Sequence, residues 1–357
     1  MARIAGYARR PHPAWSGDYD EDMTSDKRPR VFVARIIPDD GLQPIIAQTD
    51  ADVWRDDLPP PRDELLRRVE GVDGFLAMLT ERVDDELLDR AGPQLRVVSN
   101  YAVGYDNIDV PACTRHGVAV GNTAGVLTET TADAAFALLM SAARRIPEGY
   151  DYVRQDRWKT WGPMLLLGPD VHHATLGIVG FGRIGRDIAK RARGFDMQVL
   201  YYDVMAAPPE EEARLGARRA PLEDVLAQSD FITLHVNLTP ETHHMMNRET
   251  FARMKRSAVL VNASRGPVVD PDALYDALKE GVIAAAALDV TEPEPMPGNH
   301  KLLSLPNCLV VPHIASASFA TRGKMASIAA QNLVAGIRQE PLPSFVNPDA
   351  YARRVTA

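Results

Sequence analysis

Three residues able to handle anions and protons each follow an apolar run in the C-terminal half of the chain. Arg265 follows AVLVNAS (258–264), Glu294 lies in the proline-rich loop after ALDV, and His313 stands near the end of CLVVPHI (308–314). A guanidinium binds a carboxylate bidentately and polarises a neighbouring carbonyl. An imidazolium donates a proton near neutral pH. A carboxylate on the other ring nitrogen favours the charged imidazole and fixes its orientation. Together these groups suit the reduction of a 2-oxo acid, provided a hydride source lies beside them. Singly, each has a structural alternative: His313 as a core histidine behind Pro312, Arg265 paired with Asp289, and Glu292 as a rival to Glu294.

A site for such a source is written at residues 180–185. Gly180, Gly182 and Gly185 form a GxGxxG that follows the strand-like TLGIV and opens the helical pattern 186–193. That context is what a dinucleotide fingerprint requires. The first glycine allows the tight turn, the second lets the backbone approach a pyrophosphate, and the third permits close helix–strand packing. The helix N-terminus then offers free N–H groups to the phosphates. Asp203 ends the next strand-like run, about 20 residues on, where a carboxylate receives ribose hydroxyls and repels a 2′-phosphate. Val204, Met205 and Ala206 follow, with no arginine among them. The expected cofactor is therefore NAD(H), with NADP(H) possible.

The elements that must position these groups alternate. VFVARI (31–36), GFLAML (74–79), LRVVSN (95–100) and VAVGN (118–122) read as strands, with helices over stretches such as 61–69 and 84–91. A long helix is expected over 129–145, where Ala132, Ala135, Phe136 and Leu139 share one face, with Arg144 and Arg145 in its last turn and Pro147 stopping it. A second series follows: TLGIVG, QVLYYD, FITLHV, AVLVNAS, AAAALDV and CLVVPHI. Near-continuous apolar runs of this kind mark parallel strands buried on both faces. The pattern predicts an α/β fold with two doubly wound, Rossmann-like parallel-sheet domains. A final helix over 318–339 could cross back to the first. The length of 357 residues suits two domains. A net charge of −8 argues against a nucleic-acid or anionic-membrane partner. Two cysteines, Cys113 and Cys308, make no disulfide framework and point to a reducing, cytoplasmic setting. No run is long enough to span a bilayer, no secretory signal is visible, and no metal is expected. Residues 1–28, with Pro11, Pro13 and an acidic run, read as a disordered tail, and Met23 as an alternative start.

At these residues the sequence resembles the D-2-hydroxyacid dehydrogenases, over about 31–348. The matching segments are NYAVGYDNID (100–109), TLGIVGFGRIG (175–185), LTPETHHMMN (238–247), VNASRGPVVD (261–270), ALDV with PEPMP (287–297) and LPNCLVVPHIASAS (305–318). The resemblance implies a catalytic triad of Arg265, Glu294 and His313, and the PEPMP segment selects Glu294 over Glu292. It implies that the N–H groups of Val103 and Gly104, after the third strand, hold the substrate carboxylate, with Ser316 nearby. It places Arg183, Ile184, His235, Thr242, Ala263 and Asp289, with the glycines, Asp203 and His313, around the cofactor. It implies a flavodoxin-like substrate domain made discontinuous by the last helix (29–125 and 316–348) around a nucleotide domain at 126–315.

Within that family the segments AMLTERVDDELLD (77–89), WGPMLLLG (161–168) and TRGKMASIAAQNLVAGI (321–337) are most similar to glyoxylate/hydroxypyruvate reductases. Met78 and Leu79 would then flank the substrate of a D-specific reductase, and Trp161 of the partner subunit would reach the site in a homodimer. Many such reductases use NADP and lack an acid where Asp203 stands. Asn237 replaces a usual proline, and His172–His173 reads as a surface turn. Formate dehydrogenases place Gln where Glu294 sits. A phosphoglycerate or D-lactate type enzyme, and an NAD-sensing corepressor-like binding protein, are the competing readings.

Overall fold

The computed structural model describes residues 28–351. The expected tail at 1–28 lies almost wholly outside them. Five strands form the first sheet: β1 (Arg30–Val33), β2 (Asp50–Val53), β3 (Gly74–Ala77), β4 (Val97–Asn100) and β5 (Ala119–Gly121). Their order is β2-β1-β3-β4-β5, and every pairing is parallel. This is the flavodoxin-like arrangement. Seven strands form the second sheet: β6 (Thr175–Val179), β7 (Gln198–Tyr202), β8 (Ala217–Arg219), β9 (Phe231–Leu234), β10 (Val259–Asn262), β11 (Ala285–Leu288) and β12 (Cys308–Val310). Their order is β12-β11-β10-β9-β6-β7-β8, again all parallel, with the strand order reversing at β6.

Every residue of β3, β4, β9 and β10 is buried, because helices cover both faces of each sheet. Two strands escape the sequence reading. The segment DADV forms β2 at a sheet edge, where two of its four residues stay exposed. The segment ARR forms β8 at the edge of the other sheet. Edge strands need little apolar surface, so periodicity does not reveal them. One consequence is a correction: the loop bearing Val103 and Gly104 follows the fourth strand rather than the third.

The long helix runs Thr128–Ala143 and packs against the second sheet and the helix after the glycine loop. It ends two residues earlier than expected. Arg145 adopts a left-handed conformation (φ 51°), and Pro147 sits in the first turn of the next helix, Ile146–Arg154, instead of stopping the previous one. Proline is tolerated there because a first-turn N–H has no helical partner. The C-terminal helix Phe319–Ile337 is capped by Ser318, whose hydroxyl accepts from the Thr321 N–H (3.1 Å). It packs on the first sheet through Ala326, Ala329, Ala330, Leu333 and Ile337. No helix among the described residues is long and apolar enough to cross a membrane.

Candidate active site

Both sheets direct the carboxyl ends of their strands toward one cavity of ≈ 1190 Å³. Ligands bind at such ends in open parallel sheets. From the first sheet come Met78 and Leu79 after β3, and Val103, Gly104 and Asp106 after β4. From the second come Ile184, His235, Ala263, Arg265, Asp289, Glu294 and His313, with Ser316 beyond.

The carbonyls of Val103 and Gly104 are turned away and tied down. Asn122 Nδ2 donates to Val103 (2.8 Å), and Asn100 Nδ2 to Gly104 (2.9 Å). Among the described residues neither N–H of this pair donates a hydrogen bond, so both stay free for an anion. Gly104 has a second reason to lack a side chain: a Cβ there would lie 1.5 Å from Arg265 Nη2. Arg265 thus rests directly on the loop of the opposite sheet. Its Nε donates to Asp106 Oδ1 (2.9 Å) and its Nη1 to the Ser264 carbonyl (2.8 Å). The alternative pairing with Asp289 is not the one adopted.

Asp289 does something else. It is 2% exposed, and its two oxygens accept from the N–H groups of Ile314 (2.7 Å) and Ala315 (3.0 Å). Its carbonyl accepts from the His313 N–H (2.8 Å). It therefore holds the turn on which His313 sits with a left-handed φ of 51°. Burial pushes its carboxyl above the ordinary range, against those two N–H donors. The His313 ring meets Glu294, with Nδ1 and Oε1 2.6 Å apart. Burial alone would raise the Glu294 pKa. The hydrogen bond and charge of His313, the Thr291 N–H and the Arg265 charge outweigh it and hold the carboxyl below its usual range. The pair leaves the other ring nitrogen, Nε2, for a substrate. Glu292 is not part of this pair; its carboxylate meets His244 Nε2 instead (2.6 Å).

The glycine loop follows β6. Gly180 has φ 95°, and a Cβ there would fall 2.6 Å from the His235 backbone, so the turn admits only glycine. A Cβ on Gly182 would meet nothing within 4 Å, which leaves its backbone open to approach. A Cβ on Gly185 would strike the Gly180 carbonyl at 2.2 Å, so the helix packs too close for one. Arg183 and Ile184 open that helix, Arg183–Ala192. Asp203, just past β7, accepts from the Phe181 N–H at Oδ2 (2.6 Å) and from the Met205 N–H at Oδ1 (2.9 Å). Its carboxylate is thereby held against the glycine loop. Burial pushes the His235 imidazole down to about 3, so it is neutral at physiological pH; its Nε2 lies 2.7 Å from Thr233 Oγ1. Thr242, like Gly180, Gly182, Arg183, Gly185 and Asp203, is not among the residues that line the cavity. Its hydroxyl donates to the Asn237 carbonyl (2.6 Å) and accepts from the Thr239 N–H (2.8 Å), which shapes the loop. Trp161 is 78% exposed and lies outside the cavity of its own chain.

Two residues near the site escape the sequence reading. Asp106 lies within NYAVGYDNID, but no spacing rule pairs it with a residue 159 positions away. Arg219, from edge strand β8, donates to the carbonyls of Asp203 (2.8 Å) and Val204 (3.2 Å). It therefore places a guanidinium beside the acid that a search of the next three residues finds without basic company.

Residues 136–315 match the family described as D-isomer specific 2-hydroxyacid dehydrogenase, NAD binding domain. The chain is 53% identical to a glyoxylate reductase of Korarchaeum cryptofilum, over 92% of this chain and 98% of that one. It is 48% identical to one of Thermococcus kodakarensis, with the same two coverages. Among solved structures, a Thermus thermophilus protein superposes with a TM-score of 0.84 at 44% identity, covering 89% of this chain and 99% of that one. An NADPH-dependent glyoxylate/hydroxypyruvate reductase from Sinorhizobium meliloti, in complex with NADP and malonate, gives 0.78 at 32%, covering 91% and 98%. Two parallel sheets facing one cavity, a glycine loop in its strand–turn–helix setting and these likenesses over nearly the whole chain lead to one conclusion: the protein belongs to the D-isomer specific 2-hydroxyacid dehydrogenase family.

Proposed function

We propose that the protein reduces glyoxylate or hydroxypyruvate to the D-2-hydroxy acid, with NADH as the preferred reductant. The observation that carries this reading is the 2.6 Å His313–Glu294 pair in the same cavity as Arg265 and Ile184. The free N–H groups of Val103 and Gly104 hold the substrate carboxylate, and Arg265 binds it and polarises the 2-oxo group. Met78, Leu79 and Ser316 flank the substrate. When bound, the dihydronicotinamide supplies a hydride to the carbonyl carbon. His313 gives its Nε2 proton to the carbonyl oxygen, and Glu294 stabilises the imidazolium before that transfer and orients the ring throughout. His313 is left neutral and takes its proton back from solvent. Gly180, Gly182, Arg183, Ile184, Gly185, Asp203, His235, Ala263 and Asp289 are the residues that would hold the dinucleotide, with Thr242 shaping the adjoining loop.

Asp203 supports NADH, because its carboxylate repels a 2′-phosphate. Arg219 beside it favours a second reading, in which NADPH is also accepted. We assign the substrate domain to 29–125 and 316–348, and the nucleotide domain to 126–315, following the two sheets. We further infer a cytoplasmic homodimer. Ile146, Tyr150, Val153, Trp158, Trp161 and Met164 are exposed on one short stretch, more apolar surface than a free helix and arm leave to water. Trp161 of the partner subunit would then complete the site.

The test is loss of absorbance at 340 nm with glyoxylate or hydroxypyruvate, each with NADH and with NADPH. Oxidation of NADH by both acids is the expected result. No turnover in any of the four mixtures, with NADH binding intact, would overturn the reading in favour of another 2-oxo acid or a nucleotide-sensing binding protein.

A further inference from the structure

Outside the catalytic pair lies a second cluster of ligating side chains. His243, His244 and Glu292 bring one ligand atom each within 4.8 Å of one another. Nothing in the sequence spacing suggests it, since Glu292 lies 48 residues from His244. The fold brings them together in two steps. His244 is left-handed, with φ 50°. In an extended chain, adjacent side chains point to opposite faces. The turn at His244 instead stacks the two imidazoles, with centroids 4.0 Å apart and planes 26° from parallel. The His244 N–H then donates to the Pro267 carbonyl (2.8 Å), which pins the pair beside the segment that follows Arg265. The loop bearing Glu292 packs on the same segment, so closely that a Cβ on Gly266 would strike the Thr291 carbonyl at 1.9 Å.

We propose that His243, His244 and Glu292 form a binding site for one borderline-soft divalent cation of the Zn²⁺ class. Two imidazoles and a carboxylate are a common three-ligand set for that ion, with water filling the fourth position. Imidazole nitrogens select zinc, nickel or copper over magnesium and calcium, which prefer oxygen. Binding widens the 2.6 Å contact between His244 Nε2 and Glu292 and turns the exposed His243 ring out of its stack, so that an ion lies about 2.0–2.2 Å from each ligand. His243 is exposed and the other two are half-buried, so an ion and its water have access. Glu292 takes no part in the Glu294–His313 pair, so the site stands apart from the proposed reaction. It joins the segment after Arg265 to the segment that carries Glu294.

Isothermal titration of the full chain with ZnCl₂ tests this. The expected result is one ion per chain. His243→Ala and Glu292→Gln each weaken it by at least about tenfold, the loss seen when even an outer partner of a bound metal is removed. His172→Ala, in the other histidine pair (T-shaped, centroids 5.0 Å), leaves it intact. Zinc also raises the thermal midpoint of the unaltered chain and not that of His243→Ala, by linkage of binding to folding. Absence of saturable zinc binding, binding that survives both ligand changes, or equal affinity for MgCl₂ overturns the assignment.

Discussion

The glycine loop, of which Ile184 lines the cavity, and the His313–Glu294 pair in the same cavity are built differently. From Thr175 to Asp203 one continuous strand–helix–strand unit supplies strand, turn, helix and acid, and the Phe181 N–H closes on Asp203 within that unit. The side that carries His313 draws on both sheets and on separate loops. Arg265 leans on Gly104 and Asp106 of the other sheet, Glu294 reaches His313 across 19 positions, and Asp289 braces the His313 turn from 25 and 26 positions away. A local device tolerates movement between the two sheets. A device assembled from both depends on their mutual position, which ties its chemistry to closure of the cavity.

The comparison breaks most sharply at His313. His313→Ala is expected to lower kcat by about 10²–10⁴-fold, the usual worth of a general acid, with NADH affinity little changed. Retained turnover would remove His313 from the mechanism. Gly104→Ala tests the dependence on both sheets, since the added Cβ must push the Arg265 guanidinium aside. It should reduce kcat/KM by roughly 10²-fold, as a misplacement of about 1 Å does, while coenzyme binding measured by fluorescence stays put. An unaltered kcat/KM would show that Arg265 does not need that seat.

Glu294→Gln should cost roughly tenfold or more in kcat and reshape the pH profile. The Glu294 carboxyl is held below its usual range, so the ionised pair contributes in full above the ordinary carboxylate range. That contribution is lost as pH falls through the lowered value. Unaltered protein should therefore keep its activity into mild acid. The Gln variant has no carboxyl to titrate, so its acid limb should no longer carry that inflection. Identical profiles for the two proteins would count against the pairing.

On the local side the expected effect is a change of preference. Asp203→Gly should raise the NADPH-to-NADH ratio of kcat/KM by about tenfold, the worth of one charge-assisted hydrogen bond. A ratio that stays fixed would place Asp203 away from the ribose. The smallest change belongs to Asp106→Ala. Its ion pair with Arg265 is partly exposed, so kcat/KM should move by no more than about fivefold. A larger loss would mean that Asp106 orients Arg265 beyond what an exposed pair supplies.

Much of this was legible in the residues. Buried parallel strands betray themselves as apolar runs, so every strand except β2 and β8 stands out. The polar edges β2 and β8 do not, because one of their sides lacks a partner and needs no apolar cover. Pro147 does not mark the helix stop, because the left-handed turn at Arg145 ends the helix first and carries no residue signal. Arg265, Glu294 and His313 could be named because strand-end position is a local property.

The sequence by itself determined what depends on neighbours along the chain: the glycine turn, the acid after β7, the alternation of strands and helices, and the chemical types at the strand ends. Tertiary structure decided the choice among partners. It gave Arg265 to Asp106 rather than Asp289, set Arg219 beside Asp203, and brought Glu292 to two adjacent histidines. The physical reason is one of range. Backbone conformation responds to residues within a turn or two, whereas ion pairs and hydrogen bonds act across space over a few ångströms, and only the packed sheets determine which distant side chains come that near.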